Sequence, residues 1–183
     1  MFILRRFELE SFLQNIERHK ITDFALVPPM VHMILASPLA KKYSMKSIRH
    51  AYAGAAPLDA GSQERMRKLL ADDAPLTQVW GMTETSCTCS CLPYQYGNEV
   101  TGSVGKMLPN MDVKLCDDDG KDITADDTRG ELCVRGPLVT QGYYLNPAAN
   151  SRDWDSDNFF HTGDIACKPI LRLHCTCTTE NTF

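Results

Sequence analysis

The strongest constraint on the fold is an alternation of short apolar runs with amphipathic segments over the first 80 residues. Phe7, Leu9, Phe12, Leu13 and Ile16 recur at near-helical spacing among charged residues, which predicts an amphipathic helix over about 8–19. Residues 21–27 read as a buried strand that stops at Pro28-Pro29, because proline cannot extend a ladder. A short helix is expected over 30–36, with Pro38 beyond its end. Residues 48–53 read as the next strand. Residues 59–71 read as a charged amphipathic helix with Asp59 as N-cap and Met66, Leu69 and Leu70 inward. A third short strand follows at 75–78. Strand, helix, strand, helix, strand is the pattern of a parallel sheet, so the class is α/β.

After Pro109 the texture changes. Met111-Asp112-Val113-Lys114-Leu115 and Glu131-Leu132-Cys133-Val134-Arg135 alternate apolar and polar side chains, and Asp117-Asp118-Asp119-Gly120 between them is a hairpin signal. Antiparallel sheet is expected here. The acidic run lacks the spaced ligands and distal Glu of a calcium loop and reads as a solvated turn. The expected organisation is an α/β part over 1–108, a β subdomain over 109–166 and a Cys-rich tail over 167–183.

Chemistry concentrates where the third strand ends, in Val79-Trp80-Gly81-Met82-Thr83-Glu84-Thr85. Ligands bind at strand ends in open α/β sheets. Trp80 offers a flat face for stacking a base. Gly81 allows close backbone approach, Thr83 can donate to a phosphate oxygen, and Glu84 can ligate Mg²⁺. The same residues also make an ordinary strand-to-loop turn with a half-buried Trp and a solvated Glu. Gly54-Ala55-Ala56, after the second strand, is small enough for a flat ring to lie against the backbone, or for close strand–helix packing. His32 reads as a surface or helix-end histidine, with a place in an acyl pocket as the alternative.

Nineteen basic and 23 acidic residues among 183 give a net charge of −4 without a basic patch, which argues against a nucleic-acid partner. No apolar stretch approaches the roughly 20 residues of a membrane span. Neither a signal peptide nor the peroxisomal C-terminal tripeptide is evident, so a cytoplasmic protein is expected. Eight cysteines include Cys87, Cys89 and Cys91 at alternate positions, and Cys175 and Cys177. Their spacing is tighter than paired zinc ligands usually show. They read as incidental thiols, with a soft-metal cluster as the alternative.

Several motifs resemble those of the adenylate-forming superfamily, which holds the acyl-CoA synthetases, 4-coumarate–CoA ligases and luciferase. Val79-Trp80-Gly81-Met82-Thr83-Glu84 resembles its aromatic-Gly-Met/Leu-Thr-Glu motif, and Gly54-Ala55-Ala56-Pro57-Leu58 its adenine-contacting turn. Gly102-Ser103-Val104-Gly105-Lys106 with Pro109-Asn110, Gly130-Glu131-Leu132-Cys133-Val134-Arg135-Gly136-Pro137, Gly142-Tyr143-Tyr144-Leu145-Asn146-Pro147 and Phe160-His161-Thr162-Gly163-Asp164 resemble four further motifs, in the family's order. The nearest branch is that of the 4-coumarate–CoA-ligase-like and acyl-CoA ligases.

The resemblance implies ATP-dependent activation of a carboxylic acid as an acyl-adenylate, followed by transfer to coenzyme A. Gly54, Ala55 and Ala56 would line the adenine, with Trp80 stacked on it and Gln78, Gly81 and Met82 in the same nucleotide-contacting stretch. Thr83 would meet the α-phosphate, Glu84 would hold Mg²⁺, and Asp164 would accept from the ribose hydroxyls. Asp164 also suits an ordinary Thr-Gly-Asp turn. The resemblance further implies that the β subdomain is a small distorted barrel, and that these segments line one cleft. Trp80 stands where Tyr is commoner. Val79 stands where Gly is usual and should narrow the acyl pocket.

The family's phosphate loop would precede residue 1, and its hinge and lysine-bearing domain would follow. The chain is therefore expected to be an incomplete piece of the large domain, weakly active or inactive alone. Uncovered sheet edges should favour self-association. The resemblance ends near Ala166, which suggests an unspliced intron or shifted frame; sequencing the transcript there tests this. The competing readings are a non-catalytic nucleotide-binding remnant and a thiol-rich metal-binding protein.

Overall fold

Leu13 and Ile16 lie on the inner face of α1 (Leu9–His19), and their burial is what holds this helix to the body of the protein. In the computed structural model, residues 1–92, 103–123 and 129–167 are described, with the backbone of 174–175. These residues form two compact units, one built on 1–78 and the other on 79–92 with 103–167.

The first unit carries the parallel sheet. Strands β1 (Asp23–Leu26), β2 (His50–Ala53) and the start of β3 (Leu76–Trp80) pair in that order, with Leu26 opposite Ala53 and Ala53 opposite Gln78. Helices α2 (Pro28–Ala36) and α3 (Leu39–Lys42) make the first crossover, and α4 (Ala60–Arg67) the second. Leu26, Val31, Ile34, Ile48, Met66, Leu70 and Leu76 fill one core with Leu13 and Ile16.

Two boundaries differ from expectation. Pro28 and Pro29 open α2 rather than merely ending β1. The first helical turn has no intrahelical use for an N–H, so proline fits there at no hydrogen-bond cost. Helix α4 ends at Arg67, and the chain continues in turns in which the Leu70 N–H reaches the Arg67 carbonyl at 3.0 Å and Leu70 stays buried.

Asp59 caps α4 as expected, its Oδ1 accepting from the Ser62 N–H at 2.8 Å. Asp59→Ala should lower the urea unfolding midpoint, because the Ser62 N–H loses its capping acceptor. A urea unfolding midpoint equal to that of the parent would refute this.

The second unit is antiparallel. The end of β3 pairs with β4 (Ser90–Cys91), which pairs with β5 (Lys106–Met107). A second sheet runs β6 (Asp112–Cys116), β7 (Arg129–Arg135), β8 (Phe160–Cys167) and β9 (His174–Cys175). Among the described residues this sheet is open, so the barrel closure implied by the resemblance is not seen. Leu115, Leu132, Val134, Phe160 and Ala166 pack on one face in a core with Trp80, Cys89 and Val104. Lys114, Cys116, Glu131, Cys133 and His161 carry the alternate positions. The turn after β6 is the expected one: the Gly120 N–H reaches the Asp117 carbonyl at 2.9 Å, with Gly120 at φ 76°. Helix α5 (Pro147–Asp153) is capped by Asn146, whose Oδ1 accepts from the Ala149 N–H at 3.2 Å. Among the described residues no helix is long and apolar enough to cross a membrane.

Candidate nucleotide site

Strand β3 ends in the segment where the sequence concentrates chemistry. Beyond it, Thr83–Thr85 form one 3₁₀ turn, closed by Thr85, whose Oγ1 accepts from the Met82 N–H at 3.0 Å. Gly81 is required here by its own fold. A Cβ at this position would collide with the backbone carbonyl of Cys87, where the loop doubles back through Ser86 (φ 55°) and Cys87 (φ 89°). The glycine was expected to admit a ligand; the contact that the structure shows is with its own loop.

Trp80 and Asp164 meet although 84 positions separate them. The indole N–H donates to Asp164 Oδ2 at 2.7 Å. Strand β8 delivers Asp164, and the Asp164 N–H is in turn held by Thr162 Oγ1 at 3.1 Å. Trp80 is only 6% exposed and is packed in the second core. Little ring face is therefore offered to a base in this conformation. The polar edge of the indole has the visible task, which is to orient Asp164.

Thr83 is exposed and Glu84 half-buried. Glu84 Oε1 accepts from the Tyr143 hydroxyl at 2.9 Å, and the Glu84 carbonyl accepts from the Thr140 N–H at 2.7 Å. Burial first, and then the Glu84 carboxylate beside it, push the Tyr143 phenol above its ordinary range. Tyr143 is fixed by Asn150 of α5, whose side chain bonds the Tyr143 N–H at 2.7 Å and its carbonyl at 3.1 Å. The sequence reading gave Tyr143 no role. Its only signal was membership of the Gly142-Tyr143-Tyr144 segment. An open cleft of about 400 Å³, lined among others by Met82, Tyr143, Phe160 and Thr162, lies in this unit.

Gly54, Ala55, Ala56 and Gln78 belong to the first unit. Ala55 and Ala56 are exposed, and Ala55 has φ 68°, a conformation that costs a non-glycine residue roughly 1–2 kcal/mol. Buried Gln78 accepts from the Leu58 N–H at 2.9 Å through Oε1, which holds the segment after Ala56 to β3. His32 is exposed, as the surface reading expects.

The cysteine groups separate. Cys87 is exposed and Cys89 buried, with burial pushing the Cys89 thiol up to about 11. Alternate positions share a face only on an extended segment, and the left-handed turn at Cys87 breaks that geometry. Cys177 and Gly102 lie outside the described residues, and Cys175 is described in its backbone alone.

Comparison with known proteins defines the class. The family described as AMP-binding enzyme matches residues 1–144, and the chain belongs to that family. It is 57% identical over 180 residues to an acyl-CoA synthetase of Alternaria alternata, covering 98% of this chain and 30% of the relative. It is 48% identical over 166 residues to a phenylacetyl-CoA ligase of Aspergillus niger, covering 90% and 31%. The ATP-bound structure of MatB from Rhodopseudomonas palustris superposes with a TM-score of 0.81 at 28% identity, over 94% of this chain and 33% of the other. The chain thus spans about 30% of the length of these curated relatives. The Alternaria alignment runs past Ala166, where the resemblance was expected to end.

Proposed function

We propose that this chain is part of an enzyme that uses ATP to convert a carboxylic acid to its acyl-adenylate and then to the coenzyme A thioester. The observation that carries this reading is the identity to an acyl-CoA synthetase and a phenylacetyl-CoA ligase across nearly the whole chain. The joining of Trp80 to Asp164 supports it, since two separate motifs of the resemblance meet at one hydrogen bond. In this reading Asp164 accepts from the ribose hydroxyls, and Trp80 holds that carboxylate in place. Gly54, Ala55, Ala56 and Gln78 contact the adenine, and Gly81 and Met82 belong to the nucleotide-contacting turn that follows β3. Thr83 donates to the α-phosphate. Glu84, with one carboxylate oxygen held by Tyr143, suits single-oxygen ligation of the Mg²⁺ that accompanies ATP.

Titration of the chain with AMP and ATP tests the reading. Binding is expected, and Asp164→Ala should weaken it by about tenfold or more, the worth of hydrogen bonds to a charged acceptor. Equal affinity of parent and variant, or no binding of either nucleotide, would count against it. Carboxylate-dependent ATP–pyrophosphate exchange reads the activation step. Little or no exchange is expected of this chain alone, so binding without exchange fits both an incomplete piece of the enzyme and a non-catalytic nucleotide-binding role.

A further inference from the structure

We propose that Glu131, Cys133 and His161 form a binding site for a divalent cation of the zinc class, with the Cys116 thiol adjoining. Strand pairing builds the cluster. Cys133 and His161 stand directly opposite on β7 and β8, and Glu131 lies two residues from Cys133 on the same strand. Cys116 faces Glu131 from β6. The ligand atoms of Glu131, Cys133 and His161 all lie within 4.8 Å of one another.

The spacings suit tetrahedral coordination. A zinc ion about 2.3 Å from sulfur and about 2.0 Å from nitrogen sets those two atoms about 3.5 Å apart. Cys133 Sγ and His161 Nδ1 are 3.5 Å apart, and Cys133 Sγ and Cys116 Sγ are also 3.5 Å apart. Glu131 Oε2 and His161 Nδ1 are at 2.7 Å, as befits a hydrogen bond. They need to open by roughly half an ångström around a metal. A sulfur, an imidazole and a carboxylate together favour zinc over magnesium or calcium, which prefer oxygen alone.

The surroundings support ligation. His161 Nε2 faces Asp155 Oδ2 at 3.7 Å, the side from which a carboxylate orients a ligating imidazole. Glu131 Oε1 is held by the Gly163 N–H at 2.9 Å. The Lys114 ammonium is near but is paired with Asp155. A cavity of about 740 Å³, lined by Cys116, Asp117, Asp118, Asp119, Glu131 and His161 among others, gives access past three acidic residues. Metal binding releases the Cys133 thiol proton to solvent. The imidazole then carries its proton on Nε2, toward Asp155, and Nδ1 donates its lone pair to the metal.

The ordinary alternative is a His161–Glu131 hydrogen bond that ties β8 to β7 without any metal. Cobalt discriminates the two. Tag-free protein, stripped with chelator, is titrated with Co²⁺ alone and then with Zn²⁺. One Co²⁺ per chain should bind with a thiolate-to-cobalt charge-transfer band, and Zn²⁺ should displace it. Cys133→Ala should abolish the band. His161→Gln should weaken metal affinity by about tenfold or more, while Cys87→Ser leaves the band unchanged. Circular dichroism checks that each variant is folded. If Cys133→Ala does not fold, the parent spectrum and His161→Gln decide. No charge-transfer band in the parent, a band that survives in folded Cys133→Ala, or unchanged affinity in His161→Gln overturns the proposal.

Discussion

Asp155→Ala should destabilise the protein by about 3 kcal/mol, because it leaves a largely buried ammonium without its counter-charge. Lys114 Nζ lies 2.5 Å from Asp155 Oδ2, and the two side chains are only 14% and 20% exposed. Asp155 Oδ1 also accepts from the Asp157 and Phe159 N–H groups, each at 2.9 Å, so the carboxylate organises the turn before β8 as well. Burial alone would raise the pKa of Asp155. The hydrogen bond from Lys114 and those from the two backbone N–H groups outweigh it and hold the carboxyl below its ordinary range. A depressed folded pKa gives stability that is present above the unfolded value, near 3.9, and lost as pH falls through the folded one. Urea unfolding between about pH 6 and pH 2 should show this loss in the parent. Asp155→Asn should flatten that acid limb while keeping part of the turn. Parent-like stability of both variants at pH 7 would show that the pair contributes little.

Trp80→Ala should cost about 3–5 kcal/mol, the usual range for removing a buried large aromatic side chain. The side chain is 6% exposed within the core formed by Leu115, Leu132, Val134 and Phe160, so its removal leaves a cavity between facing elements of one unit. Trp80→Phe keeps much of the packing but removes the N–H that holds Asp164. Its expected cost is about 1 kcal/mol, the usual net worth of a hydrogen bond, since Asp164 is only half-buried. Combining Trp80→Phe with Asp164→Asn should cost less than the sum of the single changes, as expected for groups in direct contact. Additive costs in denaturant unfolding would mean that the indole–carboxylate bond is energetically idle.

The parallel-sheet unit was legible because its signals are local. Leu13 and Ile16 sit on one helical face, apolar runs precede small-residue turns, and Asp59 stands directly before α4. Helix α5 was missed because Pro147–Asp153 contains no large apolar residue and so has no periodicity to detect. The candidate site was legible as residue types but not as geometry. Nothing local says that β8 brings Asp164 to the indole edge, or that Asn150 aims Tyr143 at Glu84. The thiols show the same limit. Close spacing drew attention to Cys87, Cys89 and Cys91, while the cluster that assembles joins Glu131 and Cys133 to His161 through strand pairing.

The two-sided character of the sheet β6–β7–β8 also fixes its alignment. Sliding β7 by one residue against its neighbours would turn Glu131 and Cys133 toward the apolar core and Leu132 and Val134 outward, since side chains alternate between faces. Such a slip would strip the Glu131 carboxylate of both His161 and the Gly163 N–H. It would also part Arg135 from Asp112, which meet at 2.8 Å. The register shift opposite Glu131 and Cys133, where β8 runs from Ile165 to His161, adds a further mark that only one alignment can match. Mispaired chains therefore lose on both faces at once, and the polar face acts as a proofreading surface for strand assembly.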